Sequence, residues 1–242
     1  MKHKKLKIGL IISLALLAVL ACAFFIYVGI YYEAEWDLID EIEYTGYTQK
    51  EIDSGTLAFV PNVAYNSGVV FYPGGKVERD AYIPLMRAIA SKGVLCILVD
   101  MPFNLAVFDI SRADGVRDSF DKVESWYMAG HSLGGSMACS YVADNLDSFK
   151  GVVLLASYST EDLSQTKLSV LSIYGSEDLV LNKESYAQNK QNLPKDFTEL
   201  IIEGGNHAYF GTYGSQSGDG EAKITNREQI EITANKIADF VK

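Results

Sequence analysis

Six short apolar runs, separated by helical or turn-forming stretches, constrain this chain more than any other feature. They cover residues 68–72, 94–99, 125–129, 151–156, 168–174 and 197–202. Runs of this length that lack polar alternation have the pattern of strands buried on both faces. Between and after them lie stretches with helical features, 80–91, 111–121, 132–145, 183–191 and 227–241. In the last, Ile230, Ala234, Ile237 and Val241 form one stripe. Alternating buried strands and helices predict an α/β fold, a mostly parallel sheet with helices on both faces. Such sheets bind ligands beyond the carboxyl ends of their strands, so the residues at those ends carry the functional reading.

The run ending at Ala129 meets Gly130-His131-Ser132-Leu133-Gly134-Gly135. This is G-x-S-x-G with a strand before it and a helix after it. The sharp turn lifts the serine hydroxyl clear of the sheet, the glycines let neighbouring backbone pass closely, and the helix N-terminus favours negative charge. A serine hydroxyl is a weak nucleophile; it needs a base, and the base needs an orienting carboxylate. In this arrangement the chain order is Ser, acid, His. Gly175-Ser176-Glu177-Asp178 follows the run 168–174, and Gly204-Gly205-Asn206-His207 follows the run 197–202, on the same rim as Ser132. The chain has three histidines. His3 lies in the N-terminal tail and His131 reads as a spacer whose ring diverges from the serine, which leaves His207 as the base. Asp178 is the expected acid, Glu177 its rival, and Asp100 a loop residue.

A developing oxyanion needs N–H donors. One is expected from Leu133, the residue after the nucleophile, and the other from Gly75 in Pro73-Gly74-Gly75-Lys76, with Lys76 as runner-up. No metal or cofactor is expected. H-E-x-x-H, C-x-x-C, Walker and dinucleotide fingerprints are all absent, and the Gly130–135 stretch is better explained as a serine turn. The three cysteines make no disulfide framework: Cys22 lies in the N-terminal apolar segment, and Cys96 and Cys139 read as buried thiols.

With these motifs in view, residues 68–242 resemble the α/β-hydrolase superfamily. Phe71-Tyr72-Pro73-Gly74-Gly75-Lys76-Val77, together with Gly204-Gly205-Asn206-His207-Ala208 and Phe210-Gly211, is similar to the alpha/beta hydrolase family 5 group of small bacterial proteins with an N-terminal membrane helix. The resemblance implies an esterase-like site but no particular substrate. The chain departs from it at Tyr72-Pro73-Gly74, where many members carry His-Gly. About a dozen residues separate the runs 151–156 and 168–174, too few for a cap domain, so an uncapped α/β-hydrolase fold is expected. The loop 208–222, with Tyr209, Phe210 and Tyr213, reads either as a glycine-rich connector or as a mobile aromatic rim over the serine.

Residues 8–30 are 23 consecutive uncharged positions, about 35 Å as a helix and enough to cross a hydrocarbon core of about 30 Å. Lys2, Lys4, Lys5 and Lys7 precede them, which places the N-terminus in the cytoplasm and the remainder outside, with Tyr27, Tyr31, Tyr32 and Trp36 at an interfacial belt. A signal-peptide apolar region is shorter. Val19-Leu20-Ala21-Cys22 loosely resembles a lipobox, yet the apolar run continues past Cys22. The organisation expected is a basic tail at 1–7, a transmembrane helix at 8–30, a stalk and domain entry at 31–55, and a catalytic domain at 56–242. Beyond residue 30 the chain carries 17 basic against 31 acidic side chains, a net of −14, which excludes nucleic acid as a partner and a basic face on anionic lipid.

The function these residues point to is a single-pass, membrane-anchored, extracytoplasmic serine hydrolase. It would cleave a small-molecule or surface ester through an acyl-enzyme. Acyl transfer to another acceptor, peptide cleavage and a non-catalytic binding module are the competing classes.

Overall fold

The computed structural model describes residues 2–53 and 55–242; Met1 of the expected tail and Ser54 of the expected stalk lie outside the described residues. The chain divides into two compact units, Met1–Tyr31 and Tyr32–Lys242.

The first unit is one helix, α1 (Lys2–Gly29). Within it Gly9–Gly29 has a mean hydropathy of 2.8, long and apolar enough to span a membrane, a criterion that a signal sequence near the N-terminus can also meet.

The second unit opens with a short helix, α2 (Trp36–Glu41). Two strands follow, β1 (Tyr47–Asp53) and β2 (Thr56–Pro61). The alternation expected from the sequence then begins: β3 (Ser67–Tyr72), α3 (Ile83–Ser91), β4 (Leu95–Val99), β5 (Ser125–His131), α4 (Leu133–Ala143) and β6 (Gly151–Leu155). It ends with β7 (Ser169–Gly175), α5 (Lys183–Asn189), β8 (Thr198–Ile202) and α6 (Asn226–Val241). All eight strands form one sheet in the order β1-β2-β4-β3-β5-β6-β7-β8. β1 pairs with β2, and β2 with β4, antiparallel; the other pairs are parallel.

The apolar runs lack alternation because both faces of the sheet are covered. Val69, Phe71, Leu98, Ala129, Val153 and Leu171 share one buried cluster with α3 and α6. Val70, Tyr72, Ile97, Met128, Val152 and Val170, their neighbours on the opposite side of the pleat, share the other with α4.

Three expectations change. Residues 32–53 are not a stalk: Ile39 of α2 is fully buried in the first cluster, and β1 lies at the sheet edge. β2, which carries Leu57-Ala58-Phe59-Val60, is an antiparallel strand that lies outside the parallel alternation. The stretch 111–121 forms only turns and a short 3-10 helix, Val116–Ser119. Its Val116 and Phe120 reach the second cluster although no α-helix forms there.

Candidate active site

Strand register brings the site together before any side chain is considered. Tyr72 of β3 lies opposite Gly130 of β5, and Gly175 of β7 opposite Ile202 of β8. The glycine loop therefore emerges beside the serine turn, and the Asp178 loop beside the His207 loop. A Cβ on Gly134 would overlap the carbonyl oxygens of Tyr72 and Pro73, so only glycine lets α4 start this close to β3. A Cβ on Gly175 would likewise strike the Gly205 backbone.

Ser132 sits at φ 51°, ψ −123°, a strained conformation for a residue with a side chain. Such conformations cost on the order of 1–3 kcal/mol and persist where the surroundings hold them. Here its N–H donates to Leu155 O (2.9 Å), and its carbonyl accepts from Ser157 Oγ (2.6 Å).

Asp178 is fully buried and all its carboxylate contacts are donors. Oδ1 accepts from the N–H of Val180 (2.9 Å) and of Leu181 (2.8 Å); Oδ2 lies 3.0 Å from His207 Nδ1. His207 is also buried, and its Nε2 has no hydrogen-bond partner among the described residues. Its loop is clamped from α6: Gln229 Oε1 accepts from Asn206 N–H (3.0 Å) and Gln229 Nε2 donates to Asn206 O (2.8 Å). Ser132 and His207 line one cleft of about 250 Å³ with Leu133, Ser136, Ala156, Ser157, Tyr158, Val180, Leu181 and Asn182.

Glu177, the rival acid, turns away. Its Oε1 accepts from Lys223 Nζ (2.8 Å), and that bond, first among the causes, holds its carboxyl below the ordinary range. Asp100 is an exposed loop residue. Gly75 lies against Leu133: a Cβ there would come 2.9 Å from Leu133 Cδ2. The Lys76 N–H is committed to Asn104 O (2.7 Å), which removes the runner-up donor.

His131 does more than space the turn. Its ring centroid lies 4.5 Å from that of His207, and its Nδ1 lies 2.8 Å from Tyr82 Oη. The Tyr82 hydroxyl also accepts from Gly74 N–H (3.0 Å). Burial first, then the neighbouring His207, holds His131 well below the usual histidine range. One buried hydroxyl thus ties the glycine loop to the serine turn. Tyr82 carries no motif, and only its apolar helical surroundings showed in the sequence.

The aromatic-rim reading of 208–222 does not hold for Phe210 and Tyr213. Both are buried in the first cluster, and neither lines the cleft. The Cys96 and Cys139 thiols are pushed up by burial, Cys139 to about 12, as inert thiols would be. Among the described residues no His, Cys, Asp or Glu cluster could hold a metal.

A sequence profile of the alpha/beta hydrolase family matches residues 68–231, more than half of the chain. The chain belongs to the alpha/beta hydrolase family. No curated protein matches it in sequence. Among solved structures, a dienelactone hydrolase from Anabaena variabilis shares the fold, with a TM-score of 0.61 and 16% identity over 82% of this chain and 100% of the other. Family and fold together support a hydrolase.

Proposed function

We propose that this alpha/beta hydrolase cleaves a carboxylic ester through an acyl-enzyme, with Ser132 as nucleophile, His207 as base and Asp178 as orienting acid. The observation that carries the reading is the buried Asp178–His207 contact of 3.0 Å at Nδ1, with His207 and Ser132 lining the same cleft and His207 Nε2 without a hydrogen-bond partner among the described residues. Asp178 holds the proton on Nδ1, so Nε2 is the basic nitrogen. Nε2 takes the Ser132 proton as Oγ attacks the carbonyl carbon. The Leu133 and Gly75 N–H groups stabilise the oxyanion. The ester C–O bond breaks, and the departing alcohol takes the proton from His207. Water, deprotonated by the same nitrogen, then releases the acid and restores Ser132. The hydrolase family and the shared fold of a dienelactone hydrolase support the same class.

We further propose that α1 is an uncleaved anchor, with the lysine-flanked N-terminus in the cytoplasm and the hydrolase unit outside. A fluorophosphonate probe tests the serine. The full chain is expected to label, and Ser132→Ala to lose all labelling. A folded parent chain that takes no label would sink the catalytic reading.

A further inference from the structure

We propose that Tyr82 is the positioning residue of the oxyanion site. Its buried hydroxyl fixes the loop 73–77 so that the Gly75 N–H stands ready for the reacting carbonyl beside that of Leu133. This rests on the serine-hydrolase reading above and gives Tyr82 a part in the reaction that the triad does not supply.

The loop after β3 runs Pro73-Gly74-Gly75-Lys76-Val77, and Pro73 has no N–H to offer. The N–H groups of Gly74, Lys76 and Val77 are already bonded. Gly74 N–H donates to Tyr82 Oη (3.0 Å), Lys76 N–H to Asn104 O (2.7 Å) and Val77 N–H to Gly74 O (3.2 Å). The Gly75 N–H makes no hydrogen bond among the described residues. The Gly74–Gly75 peptide is trans, so its C=O and its N–H point to opposite sides. The C=O faces Val77 inside the turn, which sends the Gly75 N–H outward. Beside Gly75 stands Leu133, the source of the other expected donor: a Cβ on Gly75 would come 2.9 Å from Leu133 Cδ2, and Leu133 lines the cleft with Ser132 and His207. Lys76 completes the turn at φ 61°, a left-handed conformation that costs a residue with a side chain. Local preference does not hold such a loop in shape, so bonds from outside it must.

The core places the hydroxyl that does this. Tyr82 ends the 3-10 turn Arg79–Tyr82 and leads into α3; it is fully buried, with its ring 5.0 Å from that of Phe71 in β3. Its Oη also lies 2.8 Å from Nδ1 of His131, the residue before Ser132, so one oxygen touches both the glycine loop and the serine turn. A Cβ on Gly74 would come 2.7 Å from that oxygen and 2.7 Å from His131 Nδ1, so only glycine brings its N–H this close. Tyr72 does not share the task, because its hydroxyl is bonded to Ile110 O (2.6 Å) and Ala113 N–H (3.0 Å). Without the Tyr82 oxygen the buried Gly74 N–H loses its partner, and the Gly74–Gly75 peptide is free to turn away. As Ser132 Oγ attacks, the carbonyl π pair moves onto oxygen, and donors stabilise it fully only if they already stand in place. A misplacement of about 1 Å costs as much as about 10² in rate.

The test compares the full chain with Tyr82→Phe, which removes one oxygen and keeps the ring against Phe71. On p-nitrophenyl butyrate the variant's kcat is expected to fall about 10–100-fold, with KM within about twofold. A trifluoromethyl ketone with the same carbon chain serves as the oxyanion probe. It adds to Ser132 as a hemiketal: Oγ bonds to the carbonyl carbon, the Ser132 proton passes to His207 Nε2, and the carbonyl oxygen becomes the oxyanion. Its Ki is expected to rise by the factor by which kcat/KM falls. Burial holds the Tyr82 proton well above the usual tyrosine range, so the hydroxyl does not titrate in the assay, and the pH profile of kcat/KM is expected to keep the parent's midpoint. A kcat close to the parent's, a change confined to KM or to the urea midpoint, or a Ki that does not follow kcat/KM overturns the inference and leaves the hydrolase reading standing. A shifted midpoint overturns it too, because the hydroxyl would then act on His207 through His131, whose ring centroid lies 4.5 Å away. If Tyr82→Phe does not fold, the parent decides. A structure of the full chain phosphonylated at Ser132 is expected to place the phosphonyl oxygen within about 3.2 Å of both Gly75 N and Leu133 N. An oxygen turned elsewhere overturns the inference. A parent inactive on the ester and unlabelled by fluorophosphonate sinks the hydrolase reading, and this inference with it.

Discussion

Asp178 receives three hydrogen bonds on a fully buried carboxylate, and among the described residues its only side-chain donor is His207. Asp178→Asn preserves shape but offers an N–H where His207 Nδ1 needs an acceptor, which favours the wrong imidazole tautomer. Turnover of p-nitrophenyl butyrate is expected to fall by about 10⁴, with little change in KM, measured by steady-state kinetics. His131 gives a pH dependence of the opposite origin. Buried beside His207, it stays neutral in the folded chain, whereas in the unfolded chain it binds a proton below about pH 6.5. The unfolded state therefore gains protons as pH falls, and stability drops from about pH 6.5 down through the acid range, by up to about 1.4 kcal/mol per pH unit. Urea midpoints between pH 7 and 5 are expected to fall in the parent and to flatten in His131→Asn. Ser132, Asp178 and His207 were legible because motif and chain order name them. The bond from His131 to Tyr82 was not, because it joins residues 49 positions apart with no shared pattern.

At the scale of elements, α6 is the support of the histidine loop. Thr225 caps it, accepting from Glu228 N–H (3.2 Å) in a reciprocal capping box, and the helix then offers Gln229 to both backbone groups of Asn206. Gln229→Leu leaves a buried N–H and a buried carbonyl without these partners. It is expected to cost about 2–3 kcal/mol in urea unfolding and to lower turnover as the His207 loop loosens. The amphipathic stripe of α6 was visible in its periodicity, while Gln229, a polar residue facing the core, stands outside that stripe and was not identified. β1 and β2 were not identified from the sequence. β1 is mostly exposed at the sheet edge, and β2, though almost wholly buried, pairs antiparallel outside the strand–helix alternation. The loop 208–222 was open to two readings because aromatic side chains serve a core and a rim equally well, and only packing separates them.

For the whole molecule, the anchor reading predicts that the protein stays with membranes after an alkaline carbonate wash and keeps residues 1–30 by intact mass. Protease added outside the cell is expected to digest the hydrolase unit. A soluble product beginning after the apolar segment would identify a signal sequence instead. The sequence by itself determined the α/β class, the family and the serine turn, and it named Asp178 and His207 as the candidate acid and base. Each of these is local, held in the alternation of short apolar runs with helices and in glycines placed where backbone must pass close. Only the tertiary structure decided that 32–53 joins the sheet and core, that Glu177 turns to Lys223, that Lys76 is spent on Asn104, and that Phe210 and Tyr213 are core. Those outcomes depend on which distant segments strand register sets side by side, and nothing short-range in the chain encodes that.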